Sequence, residues 1–250
     1  MNEKPANHAP LADRVRGFVD VLGTFEGWPA VEPGLGPDGY FANRRRLPLP
    51  EGPITVEVAH VQPGASGRSC LSGHEFLLAL EGEITFEQAG VGITLTAGTA
   101  CVMVRESPLG WRTDLGAKLV IMRCTGGGGV GVEGAVAIDL VAPLAPSNPP
   151  LPEVLIGPTP QCRNHTDYRS ASGEFVCGTW DSTPYKRRLI SFRHYELMRL
   201  LEGSVTFVDA NGRSGTFGAG DVVLLEQGGG ASWESREYVR KIYSTYRPAG

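Results

Sequence analysis

In the segment LISFRHYELM, His194 and Glu196 stand two residues apart, and that spacing on a β-strand puts both side chains on one face. An imidazole and a carboxylate about 7 Å apart at Cα can converge on one ion or on one substrate group. As a metal centre the pair is short of donors, since at least three protein ligands are needed. His165, Glu226 and Gln227 are candidates to complete it, although no spacing fixes any of them. Three readings stand side by side: a hydrogen-bonded pair inside a metal-free ligand pocket, a nonstandard site for one divalent transition metal, and a buried structural pair. Trp180, Trp233 and Tyr243 can stack on a ligand or simply close a small core. Lys241, beside Val239 and Ile242 in an alternating segment, can neutralise a substrate carboxylate or form an ordinary salt bridge. Cys177 in EFVCGTW can face a cavity, but no neighbouring His favours its thiolate, so no nucleophile is expected.

The elements that must hold these residues repeat. EFLLALEGEITF at Glu75–Phe86 recurs as ELMRLLEGSVTF at Glu196–Phe207, 121 residues later. Beyond each copy come a Gly (Gly98, Gly220), a Trp (Trp111, Trp233) and a Lys (Lys118, Lys241). A period this long means two copies of one domain rather than a solenoid unit. In the first copy the face of Glu75 also carries Leu71, Gly73, Leu77 and Ala79, while His74 points the other way. Glu75 thus has no local partner, and the N-terminal copy is expected to be structural. In the second copy Ile190, Phe192 and Met198 share the face of His194 and Glu196. Ser191, Arg193 and Tyr195 fall on a wetter one.

Ile54–Val61 alternates, and strand after strand follows with no helical period between them, so the chain is expected to be all-β. The boundaries expected are an arm over 1–46, a first domain over 47–124, a linker over 125–161 and a second domain over 162–250. Within the arm, Leu11, Val15, Phe18, Val19 and Leu22 have the spacing of a one-faced helix over Pro10–Gly23. Arg44-Arg45-Arg46 is expected in a solvated or salt-bridged turn. The linker's Pro-rich stretch excludes central strands and implies chain laid extended over a surface.

At 250 residues the chain can build two cores of about 100 residues each. A net charge of −4 argues against nucleic-acid and anionic-membrane partners. Five Cys without a CxxC pair suggest buried thiols in a reducing compartment, hence a cytoplasmic protein. Neither Gly126–Gly129 nor Gly228–Gly230 precedes a helix, so turns are expected there and not phosphate loops. A small-molecule ligand is the expected partner, and a homodimer is expected to cover an apolar outer sheet face.

The Glu seven residues before a Gly in both copies, with the later Gly220-Asp221-Val-Val-Leu-Leu, resembles the two motifs of the cupins. The resemblance implies a bicupin: two tandem double-stranded β-helix (jelly-roll) domains preceded by the helix-containing arm. Gly178-Thr-Trp180, Trp233 and Arg240-Lys241-Ile-Tyr243 are similar to a branch related to ureidoglycine aminohydrolase. Metal-binding cupins place two His eleven and thirteen residues before that Gly. Those positions are Phe192 and Ile190 in the second copy, Leu71 and Ser69 in the first. The family's activity therefore does not carry over residue by residue. A binding protein with its pocket in the C-terminal barrel is expected, built from His194, Glu196, Trp180, Trp233 and Lys241. The alternative is a metal-dependent hydrolase or dioxygenase acting on a small carboxylate or ureido compound.

Overall fold

The structure is a computed structural model and describes residues 15–26, 39–126 and 132–249. Its first half holds β1 (Val19–Asp20), β2 (Arg44–Arg46), β3 (Ile54–Val61), β4 (Gly64–Cys70) and β5 (His74–Gln88). It continues with β6 (Val91–Thr96), β7 (Ala100–Met103), β8 (Pro108–Thr113) and β9 (Ala117–Cys124). Between the halves run β10 (Val136–Ala137) and β11 (Ala145–Ser147). The second half holds β12 (Cys162–Arg169), β13 (Phe175–Ser182), β14 (Tyr185–Ser191), β15 (Tyr195–Glu202) and β16 (Val205–Val208). It closes with β17 (Ser214–Phe217), β18 (Val222–Leu225), β19 (Gly230–Ser235) and β20 (Val239–Tyr246). The only helical pieces among the described residues are single turns at Val21–Thr24, Gly39–Ala42 and Pro152–Val154. None is long and apolar enough to cross a membrane.

The all-β expectation holds, and the sequence repeat is a repeat of strand register. One large sheet runs β10-β7-β5-β9-β3-β2, a second runs β1-β18-β15-β20-β13-β12-β11, and a smaller one of the second half runs β14-β19-β16-β17. Glu75 lies opposite Arg123 where Glu196 lies opposite Thr245, and Leu77 opposite Ile121 where Met198 lies opposite Tyr243. The edges cross over: β1 from the N-terminal arm pairs with β18, while β10 pairs with β7. The two larger sheets bury one shared core between them. Phe76, Leu78, Val102 and Val120 pack there with Leu197, Val222, Leu224 and Ile242. Each half also has an interior core of its own, around Leu77, Phe86 and Trp111 in one and Met198, Phe207 and Trp233 in the other.

Four expectations change. The helix expected over Pro10–Gly23 is overturned in its described part (10–14 lie outside the described residues). Val19 and Asp20 form a strand, and only Val21–Thr24 is helical. Phe18 and Val19 sit in different cores, so their apolar pattern serves two packing surfaces and not one helix face. Arg44–Arg46 is a strand on β3 rather than a turn, and the Arg44 side chain is buried. The segment from Ile190 to Met198 is not one strand, because the chain turns a corner between β14 and β15. Tyr195 consequently faces the shared core and not a wet surface. Cys177 lies in that same core, its thiol 3.3 Å from Ser244 Oγ, and does not face a cavity. Cys70 is exposed, and the other four Cys are buried as expected.

The linker keeps to sheet edges, as its prolines require: Ala145–Ser147 is an outermost strand, paired only with β12. The Gly that closes each copy of the repeat is needed sterically. Gly82 and Gly203 have φ of +73° and +72°. A Cβ there would lie 2.1 Å from the Gly116 carbonyl oxygen and 2.0 Å from that of Tyr238, respectively. Replacing Gly203 by Ala therefore combines backbone strain with a collision against a neighbouring carbonyl. A loss of about 1–3 kcal/mol is expected by urea unfolding with an unchanged m-value; an unaltered midpoint would contradict this steric account.

Candidate functional site

Inside the C-terminal half, β15 and β20 bring Glu196 and Lys241 together. Lys241 Nζ donates to Glu196 Oε1 at 2.8 Å, and His194 Nε2 lies 3.5 Å from Glu196 Oε2. The His comes from the corner before β15, so the expected pairing survives although the single strand does not. The ammonium also sits 4.7 Å from the ring centre of Trp180 and 5.2 Å from that of Trp233. Those two indoles meet edge to face, and Tyr185 stacks on Trp233 at 5.3 Å. All five residues picked from the sequence thus meet in one cluster. At its rim, Arg247 approaches His194 Nδ1 to 3.4 Å. Tyr243 lies 3.2 Å from Thr166 Oγ1.

The electrostatics follow from burial and contact. Burial opposes ionisation of Glu196, but Lys241 and then His194 outweigh it and hold the carboxyl well below the usual carboxylate range. An ionised Glu196 orients the imidazole, and an oriented imidazole at a solvent-reaching position can hold or pass a proton. A metal ion fits this set poorly. Glu196 already has a cation in contact, and only one His joins it. Of the other candidates, Glu226 takes the Arg16 side chain at 2.6 Å and its backbone N–H at 3.0 Å. His165 pairs with Asp167 at 3.4 Å. Among the described residues no group of three His, Cys, Asp or Glu side chains converges.

The N-terminal half answers the same problem differently. Glu75 is not a lone carboxylate: Arg44 reaches it at 2.8 Å and 3.1 Å, Arg123 at 2.8 Å and the Tyr40 hydroxyl at 2.5 Å. Glu57 shares Arg44 at 3.3 Å and Arg123 at 3.7 Å. Burial works against the Glu75 charge, but Arg44 and then Arg123 hold its carboxyl below its ordinary value. Position by position, the register sets Asn164 where the first half has Arg44, Gly178 where it has Glu57, and Thr245 where it has Arg123. The exchange opens the site. The Glu75 side chain is 0% exposed, whereas Glu196 is 15% and His194 17% exposed.

Two site features escaped the sequence. Lys118 is not the counterpart of Lys241: Lys118 lies opposite Glu81, and its equivalent opposite Glu202 is Arg240. The Lys that enters the C-terminal interior therefore replaces Leu119. Arg187, which sequence reasoning did not single out, is buried in the same interior and donates to the Ala231 carbonyl at 2.8 Å. The strict alternation of Tyr185 and Arg187 in YKRRL was the available signal.

Comparison with known proteins supports the cupin fold. Residues 169–243 match the model of the EutQ-like cupin domain. A solved protein of unknown function from Pseudomonas syringae pv. tomato str. DC3000, a member of the DUF861 family, is 30% identical. Its TM-score is 0.78, with 86% of this chain and 92% of that one covered. Ylba from E. coli, also of DUF861, is 11% identical with a TM-score of 0.59, covering 95% of each chain. Salicylate 1,2-dioxygenase from Pseudoaminobacter salicylatoxidans shares the fold at 12% identity and TM-score 0.55, covering 85% of this chain and 76% of that one. No curated protein sequence matches the chain.

Two outcomes test these electrostatics. Glu75→Gln leaves Arg44 and Arg123 with Glu57 as their one carboxylate, and a loss of about 1–3 kcal/mol is expected by denaturant unfolding. Because the folded-state pKa of Glu75 is depressed, its contribution is present above the unfolded carboxyl value and lost as pH falls through the folded one. Wild type should therefore lose stability in that acid window, and Glu75→Gln should lose less there. For Glu196, carbon-detected NMR should place the wild-type titration below the ordinary glutamate range and move it upward in Lys241→Met. An unmoved titration would remove Lys241 as the main cause.

Proposed function

We propose that this chain, which belongs to the DUF861 family of cupin-fold proteins, is two cupin barrels in tandem, of which the C-terminal one binds a small polar molecule without a metal. The N-terminal barrel serves as its structural partner. The observation that carries the reading is the exchange of interior residues between the halves. Where Arg44, Glu57 and Arg123 fill the first interior around Glu75, Asn164, Gly178 and Thr245 stand around Glu196. The His194 and Glu196 side chains stay partly exposed, and Lys241, the partner of Glu196, lies over the Trp180 ring. A concave apolar wall with a few convergent polar groups is what small-ligand sites are made of.

The metal-dependent enzyme is the less supported alternative. Lys241 already gives Glu196 its positive charge, and two donors fall short of a metal's coordination. The likeness to a dioxygenase at 12% identity speaks for the fold alone.

The test is to fill the interior as the first half does. Thr245→Arg sets a guanidinium opposite Glu196, as Arg123 stands opposite Glu75. Screening small polar compounds by thermal shift should give wild-type ligands whose shift disappears in Thr245→Arg, while the variant's own Tm is equal or higher. Ligands that shift both proteins alike would place binding elsewhere and sink the proposal.

A further inference from the structure

On the face that β15 turns toward the shared core, one side chain breaks the apolar pattern. Leu197 and Leu201 pack on that core, and Arg199 stands between them on the same face. Register makes Arg199 the counterpart of Leu78, which is 1% exposed: Leu78 lies opposite Val120, and Arg199 opposite Ile242. The first half thus fills this position with a leucine, so packing does not call for a cation here. The guanidinium reaches from the second half to the first, where Nη1 donates to the Ala79 carbonyl at 3.4 Å. That is its one hydrogen bond among the described residues. Burial pulls its pKa down, and no carboxylate comes near enough to raise it.

Arg199 lines a cavity of about 590 Å³ where the arm and the two halves meet. Leu22 and Phe25 of the arm, with Val58 and Leu80 of the first half, give the cavity an apolar wall. Its second cation, Lys118, is held by Glu81 at 3.5 Å, which is the one ion pair within the described lining. Asp20, Glu26 and Asp221 line the cavity as well. Asp20 Oδ1 accepts from the Gly23 N–H at 2.8 Å and Asp221 Oδ2 from the Gly218 N–H at 2.7 Å, so each keeps a second oxygen. An anion alone would be repelled by these acids, and a cation alone by Arg199 and Lys118; a molecule that carries both charges suits both. We propose that this seam cavity is a second ligand site, separate from the C-terminal interior, and that it takes an α-amino acid with an apolar side chain. The ligand's carboxylate accepts from the planar fork of Arg199, four of whose five N–H donors are otherwise unused. Its ammonium donates to the acids of the same lining, and its side chain lies against Phe25 and Leu80. Such a ligand touches the arm and both halves at once, so its binding stabilises their junction.

Calorimetric titration of the full chain tests this with L-leucine and L-phenylalanine as probes. Their amides lack the carboxylate, their N-acetyl derivatives lack the ammonium, and glycine lacks the side chain. At least one of the two amino acids should bind about ten-fold or more tightly than its amide, its N-acetyl derivative and glycine, the scale of one lost charge-assisted hydrogen bond or one unburied side chain. Arg199→Leu installs the residue of the first half; it should melt no lower than wild type and bind the amino acid at least ten-fold more weakly. Thr245→Arg, which fills the C-terminal interior, should leave that binding unchanged. No binding of either amino acid, an amide or N-acetyl derivative that binds as well, or full binding by Arg199→Leu would overturn the seam site. Loss of binding in Thr245→Arg would place the amino acid in the C-terminal barrel, overturning the seam site while the reading of that barrel stands.

Discussion

A carboxylate placed inside a small β-barrel must be met by a cation, because neither its desolvation nor its lone pairs can otherwise be satisfied. This chain places that carboxylate twice, at Glu75 and Glu196, in equivalent register. In the first half two arginines and a tyrosine close over it. In the second a single lysine answers it from the neighbouring strand and leaves the other oxygen to an imidazole. The Glu75 side chain is thereby sealed from solvent, whereas those of His194 and Glu196 stay 17% and 15% exposed.

The scaffold around these sites makes the difference tolerable. The two larger sheets bury one shared apolar core between them, so the C-terminal half need not be stabilised by its own interior alone. The crossed edges reinforce this, with the N-terminal arm completing the sheet of the second half through β1 and the linker extending the sheet of the first through β10. His74 belongs to the same junction, its Nδ1 3.0 Å from the Tyr168 hydroxyl. It points away from the first interior, as the alternation predicts.

Much of this was legible in the residues. The repeat shows two equivalent registers, its glycines mark positions where only Gly fits, and the alternating runs become strands. His194, Glu196, Trp180, Trp233 and Lys241 do meet. What stayed hidden depends on long-range placement. The partners of Glu75 lie 31 and 48 residues away, on strands whose pairing no local pattern reveals. The corner before β15 interrupts what reads as one continuous alternation, and so misplaces Tyr195. The arm imitates a helix because Phe18 and Val19, adjacent in sequence, serve two different cores. The shared order of Trp and Lys makes Lys118 and Lys241 look equivalent, but a one-residue difference in spacing leaves Lys118 at the surface with Glu81 and turns Lys241 inside.

The central claim is that a lysine, and not a metal ion, meets the carboxylate of the C-terminal interior. A crystal structure of protein purified without chelator, with anomalous data collected above the zinc edge, tests it most directly. The account predicts the Lys241 ammonium within hydrogen-bonding distance of Glu196 and no anomalous peak beside His194. An anomalous peak ligated by His194 and Glu196, with Lys241 turned away, would contradict it.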